Sequence, residues 1–341
     1  MVDQISVENE KIQKEIKNIN NNIECKQYKK IPENNDDLYN DFDISSKTPI
    51  HILKYHEKAI YCSIILSDGR FATGSEDSSI IIYDNKNFKP DLIIREHSKG
   101  VCCILELSSG MLSSCSIDNT IKIFDIKKDK YTVFQTLNYH KGRVIQIIEL
   151  ANKQLVSCSF DSFIIVYSKV NSNYEKDYHI KANGNSFYLI QTKENELCFQ
   201  EKEFLSEYDS ICFYDLFKRK IINKLDNMKI RGWNPFNMIT KDLLLVTGKG
   251  QLYIINVHLH NLSSIINAPN SSDINESCLI NKNTILTGDD DKKIRQWGIE
   301  GNVLKLIATK ENAHNREITV LLKLGDGLIL SGANDGEIKI W

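Results

Sequence analysis

The chain has 341 residues, 41% of them hydrophobic, which suffices for two average domains or one large domain and argues against disorder of the whole. Its 43 basic and 45 acidic residues are interspersed and leave a net charge of -2, so composition provides no global attraction to nucleic acid or anionic lipid. We therefore expect no nucleic-acid partner and no membrane partner.

The nine cysteines indicate a reducing environment. Their number is odd, no CxxC or Cys/His spacing typical of a metal site occurs, and most of them lie in apolar, strand-like runs. No apolar segment at the N-terminus resembles a signal peptide, and no run approaches the ~18 apolar residues of a membrane span. We expect reduced core cysteines, no metal, no cofactor and a cytoplasmic location.

The first 31 residues show a heptad-like pattern of apolar side chains and contain neither Gly nor Pro. A lone Asn at a core position, here Asn9, specifies register and oligomer state in coiled coils. The pattern predicts a helix over residues 1–31 that forms a coiled-coil homodimer through residues 2–24, docks on its own domain, or ends a longer coiled coil. The apolar seam consists of Val2, Ile5, Ile12, Ile16, Ile19 and Ile23.

Two further regions follow this segment. Residues 32–47 are rich in Pro, Asn, Asp and Ser, which predicts an acidic flexible linker. From Thr48 onward one phrase recurs: GSEDSSIIIYD at 74–84, CSIDNTIKIFD at 115–125 and CSFDSFIIVYS at 158–168, with four looser copies that end at residues 215, 256, 298 and 341. Short strand-like runs and turn signals lie between copies, so each period of roughly forty residues supplies four strands. We predict an all-β, seven-bladed β-propeller over residues 48–341.

A second regularity links distant residues in four of the copies. His56, His97, His140 and His314 each precede an Asp by 21 residues, with a hydroxyl four residues before that Asp and an aromatic ring six after it. These residues resemble the WD-repeat family of the Gβ type. The resemblance implies that loop His, strand hydroxyl, turn Asp and strand aromatic form a hydrogen-bonded chain within each blade. The expected network is His56, Thr73, Asp77, Tyr83, His97, Ser114, Asp118, His140, Ser157, Asp161, Tyr167, Thr287, Asp291, Trp297, His314, Ser331, Asp335 and Trp341.

Ser, His and Asp in repeated proximity also resemble the catalytic triad of hydrolases. The chain has no nucleophile elbow, and the set recurs in every regular copy, which favours a structural use over one active site. The close pair His258 and His260 lies in an apparent loop, where we expect both side chains to face solvent rather than a metal. We predict no catalytic residue and no enzyme activity.

The middle copies depart from the pattern. The fourth has no His in place and puts Tyr208 in the slot of the turn Asp, the fifth has the short turn Lys249-Gly250, and the sixth has Asn270 in place of His. We expect these blades to be held more by packing than by polar bonds. Their loops either carry binding specificity or have drifted.

Ring closure follows from the two ends of the repeat region. The last copy stops at its third strand, whereas PIHILKY, residues 49–55, precedes the first His in the position of a fourth strand. We predict that this segment pairs with residues 337–341 and completes the last blade, because an open propeller would expose a sheet edge.

The resemblance also implies where a partner binds. Each blade is written as strands a to d, and partners of the family usually bind the end that carries the d–a and b–c loops. Exposed apolar residues there would mark a protein interface with aromatic anchors. The residues at the matching positions, which include a Phe and a Trp from blades without the His, are Tyr61, Glu76, Ile117, Arg143, Phe160, Phe187, Trp233, Asp290, Glu317 and Asn334.

Three functions fit the sequence to different degrees. The first is a non-catalytic scaffold or adaptor that binds a protein or peptide on the loop-rich end. The second is the substrate-recognition subunit of a ubiquitin ligase, which would require a zinc-binding domain that this sequence lacks. The third is an enzyme of propeller form, which would need acids, His residues or metal ligands at the channel mouth, and the sequence shows no such set.

Overall fold

The computed structural model describes residues 42–203, 206–230, 235–269 and 272–341. The predicted helix and coiled coil over residues 1–31, the proposed homodimer segment 2–24 and residues 32–41 of the predicted linker lie outside the described residues. The described residues form 28 strands in seven antiparallel sheets of four strands each. The prediction of an all-β, seven-bladed propeller is therefore confirmed.

Strand β1 (His51–Leu53) comes first in the chain, and each later blade takes its strands in order from a, the innermost, to d, the outermost. Blades 1 to 3 comprise β2 (Ile60–Ile65), β3 (Phe71–Ser75), β4 (Ile80–Tyr83), β5 (Pro90–Ile94), β6 (Val101–Glu106), β7 (Leu112–Ser116), β8 (Ile121–Ile126), β9 (Tyr131–Leu137), β10 (Val144–Glu149), β11 (Leu155–Ser159), β12 (Phe163–Val170) and β13 (Asn173–Lys181).

Blades 4 to 6 comprise β14 (Asn185–Lys193), β15 (Glu196–Lys202), β16 (Asp209–Asp215), β17 (Lys220–Met228), β18 (Phe236–Met238), β19 (Leu243–Thr247), β20 (Gln251–Asn256), β21 (Asn261–Asn267), β22 (Ile274–Asn281), β23 (Thr284–Asp289), β24 (Ile294–Glu300) and β25 (Val303–Lys310). Blade 7 comprises β26 (Ile318–Lys323), β27 (Ile329–Ala333), β28 (Ile338–Ile340) and β1. A short 3₁₀ turn, Gly325–Gly327, joins β26 to β27.

The ring is closed at its centre and at its edge. Each innermost strand contacts the innermost strands of both neighbouring blades, and this series returns from β26 to β2. At the edge, β1 pairs with β28 in the register His51↔Ile340 to Leu53↔Ile338. The predicted closing strand is thus confirmed.

The apolar core follows from this arrangement. Each sheet is covered on both faces by its neighbours, so strands such as β4, with sequence IIIY, are buried along their whole length. The buried apolar side chains form seven clusters, and each cluster joins two neighbouring blades. Outer strands such as β9 are mostly exposed or half-buried, because they lie at the rim.

The end of the predicted linker is part of the propeller. Residues 42–47, here called the lead-in segment, contain a 3₁₀ turn over Ile44–Ser46, in which the Ser45 N–H donates to the Asp43 carboxylate. The Ile44 N–H donates to Gln296 Oε1 at 3.0 Å, and Gln296 Nε2 donates to the Phe42 carbonyl at 2.7 Å. Phe42 and Ile44 are buried in the cluster between blades 6 and 7. The interpretation of these six residues as a flexible linker is therefore wrong, because their apolar side chains fill a space between two blades.

Candidate functional site

Blade 1 contains the expected polar network. His56 Nδ1 lies 2.8 Å from Asp77 Oδ2, and His56 Nε2 lies 2.8 Å from Thr73 Oγ1. The N–H of Glu57 donates to the same Asp77 oxygen at 3.1 Å. The Thr73 and Tyr83 hydroxyls are 3.5 Å apart. The turn carboxylate therefore fixes the d–a loop to the b–c turn, and we call this arrangement a blade lock.

Blades 2 and 3 repeat the blade lock almost without change. His97 Nδ1 lies 2.9 Å from Asp118, and its Nε2 lies 2.8 Å from Ser114 Oγ. In blade 3 the His140 distances are 2.9 Å to Asp161 and 2.7 Å to Ser157. Ser157 also bonds the Tyr167 hydroxyl at 3.1 Å. Phe124 occupies the position of that tyrosine in blade 2 and cannot make the last bond.

The electrostatics of the turn Asp residues follow from these contacts. Burial alone would raise the pKa of Asp77, but the hydrogen bonds from His56 and Ser79 outweigh it and hold that pKa well below its ordinary value. The same balance lowers the pKa of Asp118 and of Asp161, where the histidine is again the main hydrogen-bonding partner. These carboxylates are therefore ionised acceptors over the whole physiological range.

The geometry of the blade lock differs from that of a hydrolase site in one decisive respect. A nucleophilic serine must reach a substrate, whereas Ser114, Ser157 and Ser331 are fully buried inside their sheets. Among the described residues, no group of three or more His, Cys, Asp or Glu side chains could hold a metal ion. Of the expected close histidine pair, His258 is exposed beside Asp242, whereas His260 packs on the ring of Phe213 and bonds Glu196 at 2.8 Å. The prediction that His260 faces solvent is wrong.

Blade 7 keeps half of the blade lock. His314 Nε2 lies 2.7 Å from Ser331 Oγ, which also accepts from Trp341 Nε1 at 2.8 Å. The expected bond from His314 to Asp335 is absent: the His314 Nδ1 atom has no hydrogen-bond partner. Asp335 accepts instead from the Glu337 N–H. Burial lowers the pKa of His314 to about 3, so its ring is neutral.

Blade 6 replaces the histidine with an arginine. Thr287 accepts from Trp297 Nε1 at 3.0 Å, as the sequence pattern implies. Asp291, however, bonds Arg295, whose Nη1 lies 3.1 Å from Asp291 Oδ1 and which also pairs with the buried Asp289. Asn270, which stands in the expected His position, lies outside the described residues. Sequence reasoning missed Arg295, although a cation four residues after the turn Asp was a visible signal.

Blades 4 and 5 hold their loops with other polar groups. Asp209, rather than Tyr208, is the buried acid of blade 4, and it accepts from the Ile230 N–H at 3.1 Å. Glu201 accepts from the Asn183 N–H at 2.5 Å and pairs with a lysine at 3.1 Å. In blade 5 the Tyr253 hydroxyl accepts from the backbone N–H of residue 229 at 3.0 Å. The expectation that these blades are held more by packing than by polar bonds stays a prediction, but polar bonds are present in both.

A further set of bonds joins neighbouring blades at the end with the a–b turns. The N–H and hydroxyl of Ser67 donate to Glu106 at 2.7 and 2.6 Å. Ser108 donates to Glu149 in the same way, with both distances 2.7 Å. Sequence reasoning missed these inter-blade bonds, although the repeated phrases ILELSSG and IIELANK carry the signal.

The opposite end, with the b–c and d–a loops, brings together most of the predicted partner-binding residues. A Cβ at Gly100 would lie 3.2 Å from the Tyr61 ring and 3.3 Å from Ile117, so both side chains border this glycine. The Arg143 guanidinium lies 5.6 Å from the centre of the Phe160 ring, which meets Phe187 edge to face at 4.8 Å. These partly exposed residues follow the rim from blade 1 to blade 4. We call this set the aromatic arc: Tyr61, Ile117, Arg143, Phe160 and Phe187.

Acidic residues occupy another part of the same end. Asp290 accepts from Asn275 at 2.6 Å, and burial together with the charges of Asp273 and Glu317 raises its pKa. Glu317 accepts from Asn334 at 3.1 Å. We call the three carboxylates Asp273, Asp290 and Glu317 the acidic sector.

Two further residues were predicted to bind a partner. Glu76 is exposed next to Tyr61. The pKa of Tyr61 is raised to about 12, mainly by burial of its own side chain and next by the charge of Glu76. Trp233 lies outside the described residues.

Comparison with known proteins agrees with this architecture. The family model described as WD domain, G-beta repeat matches residues 47–84 and 88–125. No curated protein matches the chain. The first matched repeat covers β1 to β4 and the second runs from β5 into β8, so each sequence repeat begins with the outer strand of the preceding blade.

Proposed function

We propose that this seven-bladed propeller, two of whose repeats match the WD domain, G-beta repeat model, is a non-catalytic interaction scaffold whose loop-rich end binds a protein or peptide partner. The proposal assigns binding to the propeller, residues 48–341, and assigns self-association or attachment to residues 1–31. It also places the protein in the cytoplasm, which is supported by the free thiols of all eight cysteines that the structure describes.

The aromatic arc is the observation that carries the proposal. Its residues make no bond of any blade lock, and of the five only Phe187 packs against a core cluster. Three of the five are aromatic and one is an arginine, and these residue types dominate the energetics of protein interfaces. All five are partly or fully exposed on the neighbouring blades 1 to 4.

The acidic sector supplies the second half of the surface. After burial, the charges of Asp273 and Glu317 raise the pKa of Asp290, so a basic group from a partner that lies beside Asp290 would relieve this repulsion. We therefore expect a partner that places apolar side chains on the aromatic arc and a Lys or Arg side chain near blades 6 and 7.

The proposal is tested by affinity capture with mass spectrometry. Phe160→Asp and Arg143→Glu should each lose the partners that the unaltered chain retains, while Ser109→Asp, in the a–b turn of blade 2, should keep them. All three variants should melt within a few degrees of the unaltered chain, because these residues lie at the surface. Retention of every partner by both Phe160→Asp and Arg143→Glu would overturn the assignment of the binding end.

A further inference from the structure

The c–d turns of blades 1, 4 and 5 share one backbone design. In each turn the first residue uses a side-chain oxygen to accept the N–H groups two and three positions later. The distances are 3.0 and 2.9 Å for Asp84, 3.0 and 2.7 Å for Asp215, and 2.9 and 2.9 Å for Asn256. The turns therefore hold their third and fourth residues at the tip in the same way.

The fifth residue of each turn adopts a left-handed conformation. The φ angles are +58° for Phe88, +53° for Arg219 and +49° for His260. This conformation reverses the chain into strand d. The Asn87 side chain at the tip of blade 1 accepts from the Lys89 N–H at 2.8 Å, whereas Phe217 and Leu259 have no polar group that could make such a bond.

The side chains at these tips differ between blades. Blade 1 has the polar pair Lys86 and Asn87 at the tip, so this turn does not require an apolar residue. Blades 4 and 5 instead present Phe217, which is 84% exposed, and Leu259, which is 69% exposed. These are the highest exposures of any large apolar side chain among the described residues. Neither side chain has a structural reason to be apolar.

Cations surround the exposed phenylalanine. Lys218, Arg219 and Lys220 follow Phe217 directly, and the Arg219 guanidinium stacks 4.1 Å from the ring centre of Tyr178 in blade 3. Asp215 pairs with Lys218 at 3.4 Å and leaves the other two cations in excess.

The neighbouring c–d turns extend this positive region. Lys127, Lys128 and Lys130 lie in or beside the turn of blade 2, and Lys169 lies at that of blade 3. The acids within these turns are Asp125 and Asp129. Basic residues therefore outnumber acidic ones within the c–d turns of blades 2 to 4, whereas at the tip of blade 5 His258 pairs with Asp242 of the same end.

We propose that the c–d turns of blades 4 and 5 dock on an anionic lipid surface, with Phe217 and Leu259 entering the headgroup region and Lys218, Arg219 and Lys220 lying over the acidic headgroups. All c–d turns of a propeller lie at the same end, so the tips of two adjacent blades reach one plane together. Amphipathic contacts of this kind combine an apolar insertion with basic flanks.

The shape and chemistry favour lipid over other polyanions. Apolar anchors in protein interfaces pack into pockets, whereas these two side chains protrude from convex turn tips. The phosphates of a nucleic acid would pair with the basic residues, but its backbone has no apolar surface for Phe217 and Leu259 to contact. The sequence-based expectation of no membrane partner rested on net charge, which hides this local excess. In the part of the chain that the structure describes, no helix is both long and apolar enough to span a bilayer. The surface lies opposite the loop-rich end, so both could be occupied at once.

Vesicle flotation tests the proposal. The full chain should float with vesicles of 30% phosphatidylserine in phosphatidylcholine and not with phosphatidylcholine alone. Phe217→Ser with Leu259→Ser should weaken binding by about tenfold or more. Lys218→Gln with Lys220→Gln should weaken it by roughly 20-fold at low salt. The matched change in blade 1, Lys86→Gln with Asn87→Ser, alters the equivalent tip and should bind like the unaltered chain.

Three results would overturn the proposal. The first is that the unaltered chain fails to float with either vesicle. The second is an equal loss in the blade 1 control, which would indicate diffuse attraction. The third is that the Phe217 and Leu259 variant binds normally while duplex DNA displaces the chain, which would indicate a general polyanion site. Thermal melting of each variant separates loss of binding from loss of fold, and partner capture at the loop-rich end should be unchanged in all of them.

Discussion

Blades 1 to 3 and blades 4 to 6 solve the same structural problem with different residues. In the first group a histidine ring and a turn Asp fix the d–a loop, as His140 and Asp161 do in blade 3. In the second group the loop or turn is fixed by Glu201, by the hydroxyl of Tyr253, or by Arg295. What persists across the ring is a buried polar bond near the b–c turn, not a residue type.

The difference shows that the residue that bonds the d–a loop can vary in type from blade to blade. A d–a loop must satisfy its N–H groups whatever its sequence, because a buried unpaired donor costs about 1–3 kcal/mol. A carboxylate or a phenol can take over that acceptor role if it reaches the same place. Blades that look irregular in sequence are therefore regular in their hydrogen bonding.

The largest loss of stability among blades 4 to 6 should come from removing the buried cation of blade 6. Arg295→Met leaves Asp289 buried and without its partner, and we expect a loss of roughly 3–5 kcal/mol in the free energy of unfolding. Urea denaturation measures this loss. Lys293→Met, which removes a more exposed partner of Asp291, should cost under ~1 kcal/mol. Equal midpoints for Arg295→Met and the unaltered chain would show that packing alone holds blade 6.

The complete and incomplete blade locks can be compared by one substitution. Asp161→Ala removes the shared acceptor of His140 and of the Lys141 N–H, and should cost about 1–3 kcal/mol. Asp335→Ala should cost under ~0.5 kcal/mol, because Asp335 does not bond His314. Thermal melting of the two variants side by side decides the point. A similar loss in both would mean that blade 7 forms the full network in solution.

Acid should affect blade 7 before the other regular blades. The pKa of His314 is about 3 in the fold and near 6.5 when unfolded, so the unfolded chain binds the extra proton between these values. Stability should therefore fall by about 1.4 kcal/mol for each pH unit below ~6.5. The turn Asp residues, whose folded pKa is lowered, contribute a loss only at more acidic pH. In His314→Gln the slope between pH 6.5 and 5 should be flatter, and an unchanged slope would exclude His314 as its source.

The smallest expected effect is a gain in blade 2. Phe124→Tyr would place a hydroxyl where Tyr167 bonds Ser157 in blade 3, and should add about 1 kcal/mol or less. The matched loss is Tyr167→Phe, measured in the same urea titration. A lower stability for Phe124→Tyr would mean that the buried site in blade 2 has no room for the added oxygen.

Sequence predicted the repeat, the number of blades and the closing strand, because these depend on local patterns. The 21-residue offset of His56 and Asp77 was readable since both residues are fixed by the same turn geometry in every regular blade. Arg295 and Glu201 were missed because a substitute acceptor or cation need not occupy the family position. The lead-in segment was missed for another reason: Gln296, which bonds Ile44, lies 252 residues away in the chain.

The candidate binding surface was only partly readable. Phe160 and Phe187 were both predicted, but their edge-to-face contact joins two blades and has no local signature. The tips of the c–d turns were absent from the sequence argument altogether. A phenylalanine in such a turn does not by itself predict exposure, since the turn of blade 1 buries Phe88 at its fifth position whereas Phe217 is exposed at the third position of its own turn.

The pairing of β1 with β28 also has a consequence during synthesis. Because His51 pairs with Ile340, β28 leaves the ribosome roughly 290 residues after β1. At roughly 5–20 residues per second, β1 waits some 15–60 s with an unpaired edge. During that interval blade 1 is already complete in sequence while the ring is open. We therefore expect newly made chains to depend on chaperones that cover strand edges, and slow translation near the end of this region to increase aggregation.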